Sequence, residues 1–317
     1  MVDSKSISHS QAPFISVIIA SYNSRPHIKR CLDSLYRQKT THTFEVIVAD
    51  SSNDGTFDFI QENYPEIKLI QLPHRTFPGP ARNAAIAHAA GVILSCVDSD
   101  CIVAPDWIEF IAESQRSGMN IVGGVILNGT PESYSGTAQY LMEFSEYMPQ
   151  QSNTTLRMIP TCNLSFQRSI FELIGGFESI EKNGHLFKSE DLIFCYRAQQ
   201  KGLQIYFNAR MKVKHLNKNK IKNFFSNQYS LGYSSALARR HIQMHGSVIL
   251  KYPPLFLFIP FIKTIRVGVR LLLYGLRPFF HYVKHFPFIV LGSCTYAAGF
   301  YAGWKIDISD EPSDSRK

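Results

Sequence analysis

Between residues 15 and 97 the chain alternates short β-branched runs with helical patterns, a rhythm that few architectures accept. Residues 15–20, 44–49, 67–72 and 92–97 read as strands, and 27–38, 56–63 and 80–90 as helices. Such repeated strand–helix–strand units build an α/β protein with a mostly parallel central sheet flanked by helices. Ligands of these sheets gather beyond the carboxyl ends of the strands. Three of those ends are polar here: Ser21-Tyr22-Asn23, Asp50-Ser51-Ser52 and Asp98-Ser99-Asp100.

The Asp98-Ser99-Asp100 triplet follows the apolar run 92–97. An extended backbone would turn both carboxylates to one side, where they suit a divalent cation that grips a diphosphate. By itself the triplet also fits a solvated turn. No GxGxxG follows the first strand and no GxxxxGK[ST] occurs, so a dinucleotide-binding or P-loop enzyme has no phosphate loop here.

Hydrophobic residues make up 45% and charged residues 18%, which supports a folded core. Lys and Arg number 33 against 25 Asp and Glu, and the net charge of +8 favours an anionic partner. Its basic residues follow the apolar C-terminal part and do not interleave with aromatics on a sheet face, so nucleic acid is not the expected partner. The six cysteines include no CxxC pair and read as reduced thiols of a cytosolic compartment. Residues 1–13 are polar, without an apolar signal segment, and are expected to form a flexible leader.

Pro105-Asp106-Trp107 opens a further helix, after which 136–158 reads as a variable excursion. Regularity returns at 159–166 and 170–174, ahead of Gly175-Gly176-Phe177. A helix starts at Ser189-Glu190-Asp191, runs to Gln200 and is closed by Gly202, with a strand over 203–208.

Five blocks, in order, make residues 14 to about 216 resemble a family 2 glycosyltransferase with the GT-A fold. They are SVIIASYN, FEVIVADSSNDGT, GPARNAAIAHAAGVILSCVDSD, IGGF and EDLIFCYRAQQKG. The resemblance implies that Asp50 bonds the nucleobase of a nucleotide-diphosphate sugar donor, wrapped by Ala20, Tyr22 and Asn23. It also implies that Arg82 and Asn83 lie near ribose and phosphates. Asp98 and Asp100 match the metal pair for Mg²⁺ or Mn²⁺, with Asp98 shared between ribose and metal, and His215 matches a histidine near the diphosphate. Asp191 matches the base that deprotonates the acceptor hydroxyl, with Glu190 a candidate acceptor contact. Read without the family, Ser189-Glu190-Asp191 is also an ordinary helix start, its acids favoured by the helix dipole. The chain departs from the family where EDxD often stands, having Leu192-Ile193 after Glu190-Asp191, and it has Phe177-Glu178-Ser179 for FDE.

Lys263, Arg266, Arg270 and Arg277 fall at helical spacing amid apolar residues, as on a helix lying on an anionic membrane surface. Residues 286–304 carry no charge, and Gly299 and Gly303 permit close helix packing. The expected organisation is a GT-A domain over 14–246, a membrane-associated helical region over 247–306 and a disordered tail over 307–317. These features together imply an inverting, metal-dependent glycosyltransferase at the cytoplasmic membrane face. Its acceptor would be a hydroxyl of a glycan or lipid-linked glycan in cell-surface polysaccharide synthesis. A polyprenyl-phosphate sugar synthase and a non-catalytic nucleotide-sugar-binding membrane scaffold are the alternatives.

Overall fold

The structure, a computed structural model, describes residues 12–178, 181–182, 185–186, 189–242 and 246–306. The expected leader over 1–11 and tail over 307–317 lie outside them. The chain opens with β1 (Ile15–Ser21), α1 (Ile28–Tyr36), β2 (Phe44–Asp50), α2 (Thr56–Asn63), β3 (Lys68–Gln71), α3 (Pro78–Ala87) and β4 (Ile93–Cys96). No residue of β1 or β2 is exposed, as befits apolar strands covered on both faces by helices. The first helix buries Ile28, Cys31, Leu32 and Leu35, one stripe at helical spacing. The third starts at Pro78, where a missing amide hydrogen leaves nothing unpaired.

The chain continues through β5 (Cys101–Val103), α4 (Trp107–Arg116), β6 (Ile121–Asn128), α5 (Tyr134–Phe144), β7 (Thr154–Leu156), β8 (Leu164–Gln167) and α6 (Arg168–Ile174). It ends with β9 (Glu181–Lys182), β10 (His185–Leu186), α7 (Glu190–Gln200), β11 (Ile205–His215), α8 (Ile221–His241), α9 (Ile259–Leu273) and α10 (Leu276–Lys305). The main sheet runs β3-β2-β1-β4-β8-β6-β11-β5, with β7 beside β11. It is parallel from β3 to β4, as expected, but mixed beyond. The reason is β8, which enters from a 3-10 turn and runs against both β4 and β6. Under this join Trp107 Nε1 donates to Asn163 Oδ1 at 2.8 Å, and Asn163 Nδ2 donates to the Val125 and Met211 carbonyls.

Residues 136–158 are not an irregular excursion. Helix α5 buries Thr137, Ala138, Leu141 and Met142 among others, and its polar positions turn out to be inward-facing too, which is why no amphipathic pattern shows. Helix α8 hides its signal the same way, burying Phe224, Gln228, Ser234 and Leu237 together.

Helix α10 lies along α8. A methyl group on Gly232 would run into the Tyr296 carbonyl, and one on Gly299 into that of Tyr229. The expected close packing of Gly299 and Gly303 is therefore met within the chain. The basic stripe is not one helix face, because α9 ends at Leu273 and Gly275, at φ 118°, turns the chain before Arg277. Arg270 donates to Ser145 Oγ at 2.8 Å and pairs with Glu146 at 3.4 Å, so it faces the sheet domain. What α9 and α10 leave exposed is rich in apolar side chains, Phe261, Ile265, Leu273, Leu276 and Phe280 among others, beside the exposed Arg266, Arg277 and Lys284. Among the described residues α10 is the one helix long and apolar enough to cross a membrane.

Candidate active site

A cavity of about 590 Å³ opens where β1 and β4 end. The starts of α3 and α7 form one wall, and α5, the end of β11, Lys263 and Tyr296 form the other. The carboxylates Asp98 and Asp100 do not stand on an extended strand. β4 stops at Cys96, and the Cys101 amide donates to the Asp98 carbonyl at 2.9 Å, a tight turn into β5. Both acids still line the cavity, facing different partners.

Asp98 Oδ1 accepts from Arg82 Nη2 at 2.6 Å, and Arg82 Nη1 donates to Glu190 Oε1 at 2.6 Å. Arg82 thus clamps the first turn of α7 to the triplet. Burial alone would lower the guanidinium pKa, but Asp98 and Glu190 outweigh it and raise it, so the charge is permanent. This side chain, expected near ribose and phosphates, lines the cavity, and both its terminal nitrogens are held by carboxylates. Gly79 lets α3 approach this closely, since a methyl there would press on Glu190 Cβ at 3.2 Å.

Asp100 faces His215 Nε2 at 3.6 Å and Lys218 Nζ at 3.7 Å. Burial acts to raise the Asp100 pKa, but His215 and Lys218 hold it below the usual value; the Asp98 carboxyl is raised, by burial first. His215 Nδ1 lies 3.1 Å from Asn217 Oδ1, while Asn217 Nδ2 donates to Asn128 Oδ1 at 3.0 Å. With a cation bound at Nε2 the imidazole proton would sit on Nδ1, where Asn217 Oδ1 is placed to accept it, the arrangement a metal-binding histidine needs. Asp100, Cys101 and His215 have ligand atoms within 4.8 Å of one another. Burial pushes the Cys101 thiol well above its ordinary pKa, so the useful donors are carboxylate oxygen and imidazole nitrogen. Such a set fits Mn²⁺ well and Mg²⁺ with water completing the shell.

Asp191 lines the cavity at the first turn of α7, where the Leu192 amide donates to its Oδ1 at 2.7 Å. Burial, then repulsion from Glu190, pushes its carboxyl up to about 7. A carboxylate so tuned suits proton abstraction near neutral pH.

Ala20 and Tyr22 line the cavity, but Asn23, Asp50 and Asn83 do not reach it. Asn23 Oδ1 accepts from the Asn53 amide, tying the β1 and β2 loops together. Asp50 is buried, and its two oxygens accept from the Ser52 amide and hydroxyl. Asn83 Nδ2 donates to the Phe177 carbonyl at 2.7 Å and Oδ1 accepts from the Phe177 amide at 2.9 Å, fixing the IGGF turn. Gly176 is required there, since a methyl would meet Asn83 Oδ1 at 2.8 Å.

Several lining residues escaped the sequence reading. Arg75 stacks on Tyr22 at 4.8 Å and Phe77 at 5.7 Å at the β1 end of the cavity. Glu143, on α5, accepts from Asn227 at 2.8 Å and Gln228 at 2.6 Å, its pKa raised by burial. Lys263 Nζ lies 4.3 Å over the Tyr296 ring. Only Arg75 and Phe77 had a signal, an Arg and an aromatic just ahead of Pro78-Gly79-Pro80.

The model of glycosyl transferase family 2 matches residues 16–175, and the chain belongs to that family. Glycosyltransferase AglE of Haloferax volcanii is 27% identical over 204 residues, 62% of this chain and 65% of that protein. This chain therefore spans just under two thirds of AglE. The glucosyl-dolichyl phosphate glucuronosyltransferase of the same organism is 22% identical over 220 residues, 63% of this chain and 68% of that protein. Among solved structures, the mannosyltransferase PcManGT from Pyrobaculum calidifontis, in complex with GDP-Man and Mn²⁺, has a TM-score of 0.56 at 18% identity. That alignment covers 93% of this chain and 86% of PcManGT, and it shares the GT-A fold.

Proposed function

We propose that this protein moves a sugar, with inversion and with help from a divalent cation, from a nucleotide-diphosphate donor to a hydroxyl of a lipid-linked glycan. The observation that carries this reading is the meeting of three carboxylates from two segments in one cavity: Asp98 and Asp100 on the triplet, Asp191 on α7, with Arg82 clamped between Asp98 and Glu190. Tyr22 and Arg75 flank the nucleoside end, and Asp50 orders the turn behind it by accepting from the Ser52 amide and hydroxyl. Asp100 and His215, with Asp98, would hold Mn²⁺ or Mg²⁺, which would supply positive charge to the departing diphosphate. PcManGT, in complex with GDP-Man and Mn²⁺, supports that choice.

Asp191 takes the proton of the acceptor hydroxyl as its oxygen attacks the anomeric carbon from the face opposite the diphosphate. Glu190, held by Arg82, sets the first turn of α7 and keeps the Asp191 carboxyl high enough to accept that proton. Lys218, at the Asp100 edge, adds fixed positive charge for phosphate oxygens. A scaffold that only binds nucleotide sugar has no use for the tuned Asp191. A polyprenyl-phosphate acceptor would need little base help, and replacing Asp191 would then be mild.

The exposed apolar sides of α9 and α10 seat the enzyme on the cytoplasmic leaflet. Helix α10 lies in the plane of that leaflet: its glycines are pressed on α8, and Arg240 of α8 donates to the Trp304 carbonyl at 2.9 Å, which fixes its far end to α8 as well. A panel of UDP-, GDP- and dTDP-sugars, assayed for hydrolysis with Mn²⁺ and with chelator, tests the reaction. One donor should be cleaved only with metal. Cleavage of none, or cleavage unchanged by chelation, would overturn the reading.

A further inference from the structure

A second cavity, of about 1020 Å³, lies between the segment from Pro253 to Ile265 and the α10 residues Tyr282 to Tyr301. Phe256, Thr264 and Tyr282 are its buried floor, and exposed Leu257, Phe261 and Phe286 are its rim. Among the described residues no charged side chain lines it. The groove therefore opens on the same apolar surface that seats the protein on lipid.

Its neighbours connect it to the active site. Lys263 and Tyr296 line the catalytic cavity, whereas Thr264 and Ala297, next to them in the chain, line the groove. The paired Lys263 and Tyr296 stand between the two, and Lys263, with Lys218, places positive charge on the catalytic side. Resting on the lipid-linked acceptor proposed above, we infer that the groove holds the hydrocarbon chain of that acceptor while Lys263 holds its phosphate. Charge fits on one side of the partition and apolar surface on the other, an amphiphile's two halves. Lys263 is then a specificity-determining residue, bonding the phosphate that links chain to glycan, and the Tyr296 ring holds its ammonium in place.

The test is equilibrium binding of a radiolabelled C55 polyisoprenyl phosphate in detergent to the full chain, with isopentenyl phosphate and inorganic phosphate as short competitors. Ala297→Trp, and separately Ala298→Trp at an exposed position, fill the groove; unfolding midpoints confirm that each variant is folded. Either should weaken binding of the long-chain phosphate by about tenfold or more, worth about 1.4 kcal/mol. Lys263→Gln should weaken the long-chain and isopentenyl phosphates alike. Val269→Ser, on the exposed face outside the groove, should leave both as they are. Unchanged long-chain binding in both folded tryptophan variants overturns the inference, as does an equal loss in Val269→Ser, which would mean adsorption to the general apolar face. Competition by inorganic phosphate as strong as by the lipid would make the site an anion site without a chain. Nucleotide binding by the wild-type protein, measured alongside, separates the two readings: its absence removes the transferase reading and leaves the groove result standing.

Discussion

Replacing Arg82 with Met keeps the length and apolar stem of the side chain and removes the charge that joins two carboxylates. The Arg82 side chain is 3% exposed, that of Glu190 11% and that of Asp98 31%. Breaking a buried ion pair by removing one partner costs about 3–5 kcal/mol, because the other charge is stranded. Asp98 retains some access to water and either acid can take up a proton, so the lower end applies, about 3 kcal/mol. For a domain of this size about 1 kcal/mol moves the unfolding midpoint by about 2–4 °C, giving a loss of about 6–12 °C. The assay is thermal unfolding followed by circular dichroism, on metal-free and nucleotide-free protein near neutral pH. Adding Glu190→Gln to Arg82→Met should recover part of the loss, since one stranded charge is then gone, whereas Glu190→Gln alone should destabilise. A midpoint for Arg82→Met within about 2 °C of wild type would refute the bridge as a structural clamp. So would strict additivity of the two substitutions.

Asp191→Asn should lower transfer to a hydroxyl acceptor by about two to four decades while donor binding stays near wild type, measured by single-turnover transfer and nucleotide titration. Because its carboxyl lies at about 7 and the base form is the deprotonated one, transfer should rise with pH through about 7 and level off above. Glu190→Gln removes a neighbouring negative charge and should move that limb to lower pH; an unmoved limb would detach Glu190 from the tuning. On the apolar face, Leu273→Glu with Phe280→Glu should lower flotation with anionic vesicles by at least about tenfold, since each buried apolar side chain is worth about 1.5–3 kcal/mol. Flotation equal to wild type would move the membrane surface elsewhere.

The parallel half of the fold was legible because β1, β2 and β4 are short, predominantly apolar runs and α1 carries a clean helical stripe. Helices α5 and α8 were not, because they bury glutamines, serines and threonines beside their apolar residues and so lack a two-faced pattern. The acids of the site, Asp98, Asp100, Glu190 and Asp191, were legible as motifs, and all four line one cavity. Their wiring was not: nothing local to Arg82 says that Glu190, 108 residues away, will accept from it. The same distance effect hid Glu143, Lys218 and Lys263, which reach the cavity from elements remote in the chain. The basic stripe misled because its spacing ignores the turn at Gly275, which puts Arg277 on another helix.

The most direct measurement is calorimetric titration of UDP and GDP into the purified protein, once with Mn²⁺ and once with chelator, for wild type, Asp100→Asn and His215→Ala. Wild type should bind one of the nucleotides in the presence of Mn²⁺ and lose at least about tenfold in affinity with chelator, and both variants should bind as wild type does without metal. Binding of neither nucleotide, or binding that ignores both the metal and the loss of Asp100 and His215, would contradict the account.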